Sequence, residues 1–596
     1  MAEVLVSPLV DSILTNLTSL IRSDEFGLPY DVRKDLEKLL GNLSSIRDVL
    51  DDAETKQIRV KSIRVWLRKI KEAAYDAEDI VDDCVLEFRL PESEVGEMSY
   101  AEQILVLRDN LKLTALPPSI GNLKQLRCLD VSQSGIIVFP ESICSLTNLQ
   151  TLNLQYCRNL KMLPKYLCNM RKLKKLVIGV SNGFGIHDAK LTCMPLGIGE
   201  LTCLKHLSSF GVSQLSDSAG ILELEKLNHL EGGLSINGLQ YVLDPMDAYK
   251  ANLRSKENLS YLCLRWRVVD VDIEIKCNNS KEVLEAIQPH SNVQALAVYG
   301  YPGVMLPGWV GSSTALPKLT SLRLDDMPNV EGWSSNCLLL PSCLQVLDIN
   351  KCPKLKIPTP LPSSITRLSV GKGNDPSLKS VEKLHNLSRL GITEFNEVET
   401  LPEAPLRNLT CLQELLINDC DKLRRLPTEL ENFSTIRNLK IWRCGGLKSM
   451  TKGLQNLTSL SELMVCNCQS LKSLSESSLQ HLTALQTLKL WGCPELEIMS
   501  VDFQHLISLR DLELRWLPQL TSLPEEIQHV HRLQTLDIRD CENLRKLPEW
   551  LLELPALTSL RVLQCHPELH RRCEDWNRIP NLRVENHVEF RNHKLQ

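Results

Sequence analysis

The stretch from Leu412 to Cys565 decides the fold, because one nine-residue pattern recurs through it at nearly constant spacing. The copies read LQELLINDC from Leu412, IRNLKIWRC from Ile436, LSELMVCNC from Leu460, LQTLKLWGC from Leu485, LRDLELRWL from Leu509, LQTLDIRDC from Leu533 and LTSLRVLQC from Leu557. They start 24 or 25 residues apart, with aliphatic residues at positions 0, 3 and 5. A fixed period of this length indicates stacked structural repeats.

The same frame recurs upstream, so repeats account for most of the chain. Its starts are Leu126, Leu149, Leu173, Leu259, Val293, Leu319, Leu344, Ile365 and Leu387. Positions 3 and 5 of a short strand point to one face and the residues between them to the other. One coil cannot cover its own leucines, so coils stack and share a core. The pattern therefore predicts a curved leucine-rich-repeat solenoid of α/β type over 104–565.

Proline and cysteine mark fixed places in each coil. Leu-Pro pairs, as at Leu163-Pro164 and Leu523-Pro524, are expected to end the strand pairing and to return the chain along the convex side. Eight cysteines lie eight residues after a repeat start, namely Cys157, Cys352, Cys420, Cys444, Cys468, Cys493, Cys541 and Cys565. A ladder with this spacing indicates stacked buried thiols and not a metal cluster, which needs ligands at short intervals.

Composition excludes several protein classes. The 596 residues carry 68 basic and 73 acidic side chains, a balance that does not favour nucleic acid as a partner. No apolar run is long enough for a membrane span, and the first residues lack a basic leader. We therefore expect a cytoplasmic protein whose 21 cysteines are thiols. Between 179 and 258 the repeat frame loosens, which suggests irregular coils or an insertion of unassigned role.

Residues 1–90 differ from the repeats, because apolar residues recur there with a helical period. The segments around Leu9, Leu39 and Leu67 each present an apolar stripe, which predicts an antiparallel helical bundle. Residues 1–95 have a net charge of −7, which leaves +2 for the remainder of the chain. Residues 91–103 are the predicted junction between the bundle and the solenoid.

Acidic residues crowd the third helical segment, and a solvated face is the simplest interpretation. The alternative is a contact with basic residues in the first coils. The candidate docking residues there are Arg127, Arg171, Lys172, Lys174 and Lys175.

Several motifs resemble plant coiled-coil NLR disease-resistance proteins. The stretch VWLRKIKEAAYDAEDIVDDC, residues 65–84, resembles their Rx-type N-terminal domain, and its residues Glu78, Asp79, Ile80, Val81 and Asp82 match the acidic EDVID motif. LTALPPSIGNLKQLRCLDVS is similar to their opening repeats, and LEKLNHLEGGLSINGL to an irregular middle repeat. CHPELHRRCEDWNRIPNLRV resembles their terminal cap, which we place at 566–596. The resemblance implies a helical signalling head and a sensing solenoid.

One departure from the family concerns nucleotide binding. Such receptors carry a nucleotide-binding NB-ARC module between head and repeats, whereas this chain has only the short junction there. A phosphate cradle needs GxxxxGK[ST], and no Gly-Lys-Ser or Gly-Lys-Thr occurs in the sequence. The nearest fragment, Gly371-Lys372-Gly373-Asn374, lacks the hydroxyl residue. We therefore expect no ADP or ATP cofactor and no nucleotide-driven switch.

The outward strand positions of the last coils are the candidate binding face. Offsets 2, 4 and 6 from each repeat start should project from the concave side, and tryptophan, methionine and arginine there are typical of interface hot spots. The candidate residues are Lys440, Trp442, Met464, Lys489, Trp491, Arg515 and Arg539.

Enzyme and metal interpretations have little support in the sequence. His529 and His531 lie just before a strand, and His566, His570 and Cys573 lie in the cap-like segment, so both groups read as surface residues and not as metal ligands. GxSxG, HExxH and GxGxxG motifs do not occur. The sequence thus predicts no catalytic residues.

These observations favour a plant defence protein that works by protein–protein recognition. The implied partners are a pathogen effector or a guarded host protein at the solenoid, and other NLRs at the head. For residues 1–20 a packed bundle helix is favoured over membrane association. Two alternatives remain open: a non-immune leucine-rich-repeat scaffold or adaptor, and a misassembled gene sequence whose full-length NLR product binds ADP or ATP.

Overall fold

A computed structural model describes most of the repeat region. It covers Leu40, residues 103–569 and the strand at 583–587, with gaps at 180, 183–184, 187–192, 216–217, 267–278, 335–338, 372–380, 397–398, 402–407, 427–433, 451–453, 455, 475–478 and 498–502. The predicted helical head with its EDVID-like residues and most of the predicted cap, including His570 and Cys573, lie outside the described residues. Two compact units are formed, one ending at Ser209 and also holding 217–219, the other continuing from Phe210.

The first unit contains a five-stranded parallel sheet with the order β1-β2-β3-β4-β7. Its strands, with a short antiparallel hairpin β5-β6, are β1 Gln103–Val106, β2 Leu126–Asp130, β3 Thr151–Gln155, β4 Lys175–Gly179, β5 Ser181–Asn182, β6 Gly185–Ile186 and β7 His206–Leu207. Each strand of the sheet pairs with that of the next coil, so the sheet grows in chain order.

The second unit contains a sheet of sixteen strands that also follows chain order. Its members are β8 Ser209–Gly211, β9 Gly232–Asn237, β10 Leu259–Arg265, β11 Ala295–Tyr299, β13 Ser321–Asp325, β15 Val346–Asn350, β16 Arg367–Val370, β17 Arg389–Thr393, β18 Glu414–Asn418, β19 Asn438–Trp442, β20 Glu462–Cys466, β21 Thr487–Trp491, β22 Asp511–Arg515, β23 Thr535–Arg539, β24 Ser559–Leu563 and β25 Arg583–His587. A separate pair joins β12 Met305–Leu306 to β14 Gly332–Trp333. The leucine-rich-repeat fold class predicted from the sequence is confirmed for the described residues.

The core follows the frame read from the sequence. Successive strands pair in register, so that Leu439, Leu463 and Leu488 lie side by side, and all three are fully buried. Fully burying a leucine side chain stabilises a fold by about 2 kcal/mol relative to leaving it exposed. Leu557, at the start of the last regular coil, is only half-buried.

Short helical turns return the chain behind the strands. Two α-helices, α1 Pro245–Lys250 and α2 Ser280–Ala286, occur in the described chain. The 3₁₀ turns are Pro118–Asn122, Glu141–Ser145, Leu167–Asn169, Ile198–Glu200, Ile221–Lys226, Leu239–Tyr241, Leu253–Ser255, Val381–Lys383, Phe503–His505, Glu525–His529 and Glu549–Glu553. Pro140, Pro524 and Pro548 stand directly before three of these turns, as expected for a residue with fixed φ and no N–H. Pro427 lies outside the described residues.

Most strands of the regular coils are followed by a left-handed residue, seven positions after the repeat start. In twelve coils this residue is not glycine, with φ between 49° and 60°, namely Gln133, Tyr156, Asp326, Lys351, Glu394, Asp419, Arg443, Asn467, Trp516, Asp540 and Gln564, with Asp109 ahead of the first full repeat. Glycine takes the position at Gly300 and Gly492. The left-handed residue turns the chain inward and places the next side chain in the core.

The residue in that inward position is often cysteine, and the predicted thiol ladder is confirmed. All eight cysteines of the ladder are buried thiols and not disulfides. The thiol of Cys444 donates to the carbonyl oxygen of Trp442 at 3.5 Å and faces that of Ile417 at 3.9 Å. The ladder thus supplies donors to carbonyl groups at the strand ends. Burial raises the pKa of the Cys352 thiol to about 12, which keeps it protonated at neutral pH.

Lys256 joins two neighbouring coils in the irregular part of the repeat region, near its end at 258. Its side chain is fully buried, and Nζ donates to the carbonyl oxygens of Leu224 at 2.8 Å and Leu227 at 3.0 Å. These carbonyl groups end the 3₁₀ turn Ile221–Lys226, so the ammonium group fastens one coil to the next. Burial lowers the pKa of Lys256 from 10.5 to about 8.

We predict that Lys256 makes stability depend on pH in the alkaline range. Between pH 8 and 10.5 the unfolded chain keeps a proton on this lysine that the folded chain has lost, so the Lys256 contribution to the free energy of unfolding rises with pH in this window, whereas buried thiols such as Cys352 contribute with the opposite sign. The contribution is on the order of 2–3 kcal/mol. Urea unfolding of the wild type and of Lys256→Met should show a steeper rise with pH in the wild type. Equal slopes would contradict the assignment.

Candidate functional site

Strand register aligns the outward-facing residues of the last coils into rows. At offset 6, Trp442 pairs with Cys466, Cys466 with Trp491, Trp491 with Arg515 and Arg515 with Arg539. The side chains at offsets 2, 4 and 6 are mostly half-buried, whereas those at offsets 3 and 5 are buried. The row therefore forms a surface that projects from the sheet.

A groove of about 630 Å³ lies along this row, at the carboxyl ends of the strands. Its lining residues are Trp442, Cys466, Asn467, Trp491, Arg515, Trp516, Arg539, Asp540, Leu563 and Gln564. They extend from β19 to β24, and five steps at the spacing of parallel strands give a length of about 24 Å. Four of the sequence-predicted binding residues, Trp442, Trp491, Arg515 and Arg539, meet in this groove.

The lysines at offset 4 form a ladder of ion pairs with carboxylates at offsets 2 and 4. Lys440 lies 3.6 Å from Glu414 and 3.4 Å from Glu462, measured from Nζ to a carboxylate oxygen. Lys489 lies 3.9 Å from Glu462 and 3.2 Å from Glu513. Each lysine is thus shared by carboxylates of adjacent coils. Met464 lies between the two lysines on β20.

The ladder continues into the groove through two arginines. Arg515 Nη2 lies 2.7 Å from Glu513 and 3.1 Å from Asp537. Arg539 binds both oxygens of Asp537, through Nε at 2.6 Å and Nη2 at 2.7 Å. The Asp537 side chain is only 3% exposed, so the two guanidinium groups cover it. The predicted binding cations are therefore half-buried and already paired within the protein, because carboxylates at offsets 2 and 4 neutralise the lysines at offset 4 and the arginines at offset 6.

Because the charged side chains are already paired, the aromatic faces are the part of the groove that a partner can contact. Arg515 Cζ stacks 4.6 Å from the ring centroid of Trp491, and the indole N–H groups of Trp442 and Trp491 are buried without a hydrogen-bond acceptor. Since the polar edges of these rings are turned inward, the groove offers indole surface and not indole donors. Such surface favours apolar or aromatic side chains.

Trp516 is a groove residue that the analysis of the sequence missed. It occupies the left-handed turn position with a φ of 51°, and 55% of it is exposed. A bulky side chain in this conformation costs about 1–3 kcal/mol, and such strain concentrates at functional sites. The signal was present in the sequence, because most other coils carry a small, polar or charged residue at this position. Burial raises the pKa of the neighbouring Asp540, and a hydrogen bond from Trp516 opposes this shift.

The candidate docking residues for the head lie in the first unit. Arg127 is in β2 and Lys175 in β4, while Arg171, Lys172 and Lys174 precede β4. Lys172 Nζ donates to Asn148 Oδ1 at 2.7 Å. These side chains lie on the amino-terminal side of the strands, but the acidic helix that we expect to meet them is outside the described residues.

The histidines considered as metal ligands lie at turns. His529 ends the 3₁₀ turn Glu525–His529, and His531 follows it. In the described ranges, no group of three or more His, Cys, Asp or Glu side chains is arranged to hold a metal ion. None of the helices found there has both the length and the apolar character that crossing a bilayer requires.

Three family models match the chain. The Rx N-terminal domain matches residues 9–103, the R13L1/DRL21 leucine-rich repeats match 221–352, and the leucine-rich repeats of plant disease resistance proteins like RPS2 match 424–566. The chain is a relative of plant disease-resistance proteins. The first match ends at residue 103 of this disease-resistance relative, where β1 begins.

Curated relatives support the same family. The chain is 34% identical over 298 residues to the putative disease resistance protein RGA1 and 33% identical over 359 residues to RGA2, both from Solanum bulbocastanum. It is 29% identical over 413 residues to the putative disease resistance RPP13-like protein 1 of Arabidopsis thaliana. These matches cover 40%, 53% and 53% of this chain but only 29%, 35% and 38% of the relatives. The chain thus spans well under half the length of the proteins that it matches.

Solved structures give only a distant likeness. A leucine-rich-repeat protein of Leptospira interrogans aligns with 80% of this chain and 81% of its own at 19% identity, with a TM-score of 0.25. The structure of a TLR13–ssRNA13 complex covers 79% of this chain and 90% of its own at 17% identity, with a TM-score of 0.36. Likenesses at this level say nothing about function.

We predict that Trp516→Asn raises the free energy of unfolding by about 1 kcal/mol, because asparagine tolerates the left-handed conformation better than tryptophan does. The reciprocal change Asn467→Trp, at the equivalent position two strands earlier, should lower it by a similar amount. Denaturant unfolding measures both. A loss of stability in Trp516→Asn would show that the indole contributes more to packing than the turn costs.

Proposed function

We propose that this disease-resistance relative is a cytoplasmic plant defence protein that recognises another protein through the tryptophan groove. The family matches support the defence role, and the exposed, strained Trp516 beside Trp442 and Trp491 is the observation that supports the groove. Exposed tryptophans held in a rigid scaffold are typical of interface hot spots. A repeat scaffold of this kind binds over an extended surface and needs no catalytic group.

The groove suits an extended segment of the partner. A length of about 24 Å corresponds to about seven residues in extended conformation. Because the ion-pair ladder has already neutralised most of the charge beside the groove, apolar and aromatic side chains should provide the binding energy. We propose binding in place of catalysis, and no nucleotide cofactor, because the sequence contains no phosphate-binding motif.

The partner assignments follow from the domain order of the relatives. We propose that the repeats bind a pathogen effector or a guarded host protein, and that the Rx-type head pairs with other NLR heads. Such a chain lacks the NB-ARC module of the receptors that it resembles and would act as a truncated receptor or as a regulator.

We predict that Trp442→Ala combined with Trp491→Ala abolishes partner capture. Truncating a hot-spot residue typically costs 2 kcal/mol or more, which is about a thirtyfold loss of affinity for each tryptophan. Proximity labelling in leaf tissue, with the full chain fused to a labelling enzyme, would compare the proteins marked by the wild type and by the variant. Tyr249→Ala, an exposed aromatic on α1, is the matched control.

Loss of the same labelled proteins from the double variant, but not from the control, would support the groove. An unchanged set of proteins would reject it. Because both variants keep the buried leucine frame, their unfolding midpoints should stay close to that of the wild type, which separates lost binding from lost folding.

A second prediction concerns the head. We propose that the acidic EDVID-like helix contacts the basic residues of the first unit, so replacing Asp79 and Asp82 with lysine should loosen the head. Limited proteolysis of the full chain should then release the head faster than in the wild type. Adding Lys174→Glu and Lys175→Glu should restore the slower rate. Unchanged proteolysis in all variants would argue against the contact.

A further inference from the structure

A second cluster of charged and aromatic side chains lies far from the groove along the sheet, on strands β10, β11, β13 and β15. Register places Arg265 beside Tyr299 and Tyr299 beside Asp325 at offset 6. At offset 4 it places Arg323 beside Asp348. All of these side chains project from the same face as the tryptophan groove.

The guanidinium group of Arg265 is stacked on an aromatic ring. Its Cζ lies 4.0 Å from the centroid of the Tyr299 ring, a distance at which cation–π attraction is effective. The Tyr299 hydroxyl in turn accepts a hydrogen bond of 3.3 Å from Arg323 Nη1. The stack and the bond hold the plane of Arg265 in one orientation.

Among the described residues, Arg265 lacks the close carboxylate partner that several other arginines of this face have. Arg323, Arg389, Arg515 and Arg539 each lie within 4 Å of a carboxylate oxygen. Within the described part of the chain no carboxylate is that close to Arg265, and its Nε is buried without an acceptor. A charged group that is largely removed from water costs free energy unless an opposite charge or an acceptor accompanies it.

The two nearby acids, Asp325 and Asp348, do not form a close ion pair with Arg265. Asp348 lies 3.4 Å from Arg323 and forms an ion pair with that arginine. Burial raises the pKa of Asp325 to about 6, although the charges of Arg323, Lys351 and Arg265 oppose this shift. Among the described residues, the fixed guanidinium group of Arg265 therefore has no carboxylate in direct contact.

We propose that Arg265, supported by Tyr299 and Arg323, is a binding site for an oxyanion, either a phosphate or a carboxylate group. A planar guanidinium group presents parallel N–H donors to two oxygens of such a group, which a lysine cannot do. This site is separate from the tryptophan groove and does not rest on the defence role.

The test uses the full chain and two probes, sodium phosphate and sodium acetate, each compared with sodium chloride at matched ionic strength. The readout is the midpoint of thermal unfolding. Binding with a dissociation constant of about 1 mM, at tenfold higher probe concentration, should raise the midpoint by about 2 °C. Arg265→Met should lose this increment. Arg389→Met, at an arginine of the same sheet that is paired with Glu414, should keep it.

The variants also separate binding from general salt effects, because phosphate stabilises many proteins by exclusion from their surface. Such an effect would be the same in Arg265→Met and in the wild type, and that result would overturn the proposal. Arg265→Lys keeps the charge and should weaken binding at least tenfold, since the planar fork is lost. If Arg265→Met fails to fold, the lysine variant alone decides.

The two probes distinguish the source of the oxyanion. A shift with phosphate alone would support a phosphate ligand, and a shift with acetate as well would support a carboxylate of a partner protein. Absence of a shift with either probe would reject the site. The Trp442→Ala and Trp491→Ala variant should keep the shift, so failure of the groove and failure of this site remain distinguishable.

Discussion

The structure depends on one constraint: a single coil cannot cover its own leucine stripe. Leu439 is buried because Leu415 and Leu463 lie on either side of it in register, and the same holds along the sheet. Stacking is therefore the source of stability, and the length of the sheet follows from it. The outward face follows from the same stacking, because the side chains at the alternate strand positions are aligned into rows by the strand pairing. Function in such a molecule lies in the rows and not in any single coil.

Much of this arrangement could be predicted from the sequence, because the frame is local. The starts at Leu412, Ile436 and Leu460 are enough to assign the buried and the outward positions of their strands. The cysteine at offset 8 could be placed for the same reason. The irregular part could also be located, because the repeat frame breaks there. The buried ammonium group of Lys256 could not be predicted, since lysine is rarely buried.

What the sequence did not show are the contacts between coils. Lys440 and Lys489 look like free cations when a strand is read alone. Their carboxylate partners stand 22 to 27 residues away and meet them only through strand pairing. Arg515 has Glu513 in its own strand, but its second partner, Asp537, comes from the next strand. Trp516 was missed for a different reason, because its role depends on a backbone conformation and not on side-chain periodicity. Arg265 stands out only by comparison with its paired neighbours, which again requires the register.

The ion pairs that are shared between coils limit which substitutions this face can accept during evolution. A charge altered at Glu462 would leave two lysines with one carboxylate fewer, so a single substitution there disturbs three coils at once. The tryptophans at offsets 6 and 7, such as Trp442 and Trp516, are not part of a shared ion pair, unlike Arg515 and Arg539. Substitutions that change partner preference should therefore arise first at these tryptophan positions. The ion-paired positions should change only in compensating sets, so this row of the sheet should vary less than the groove beside it.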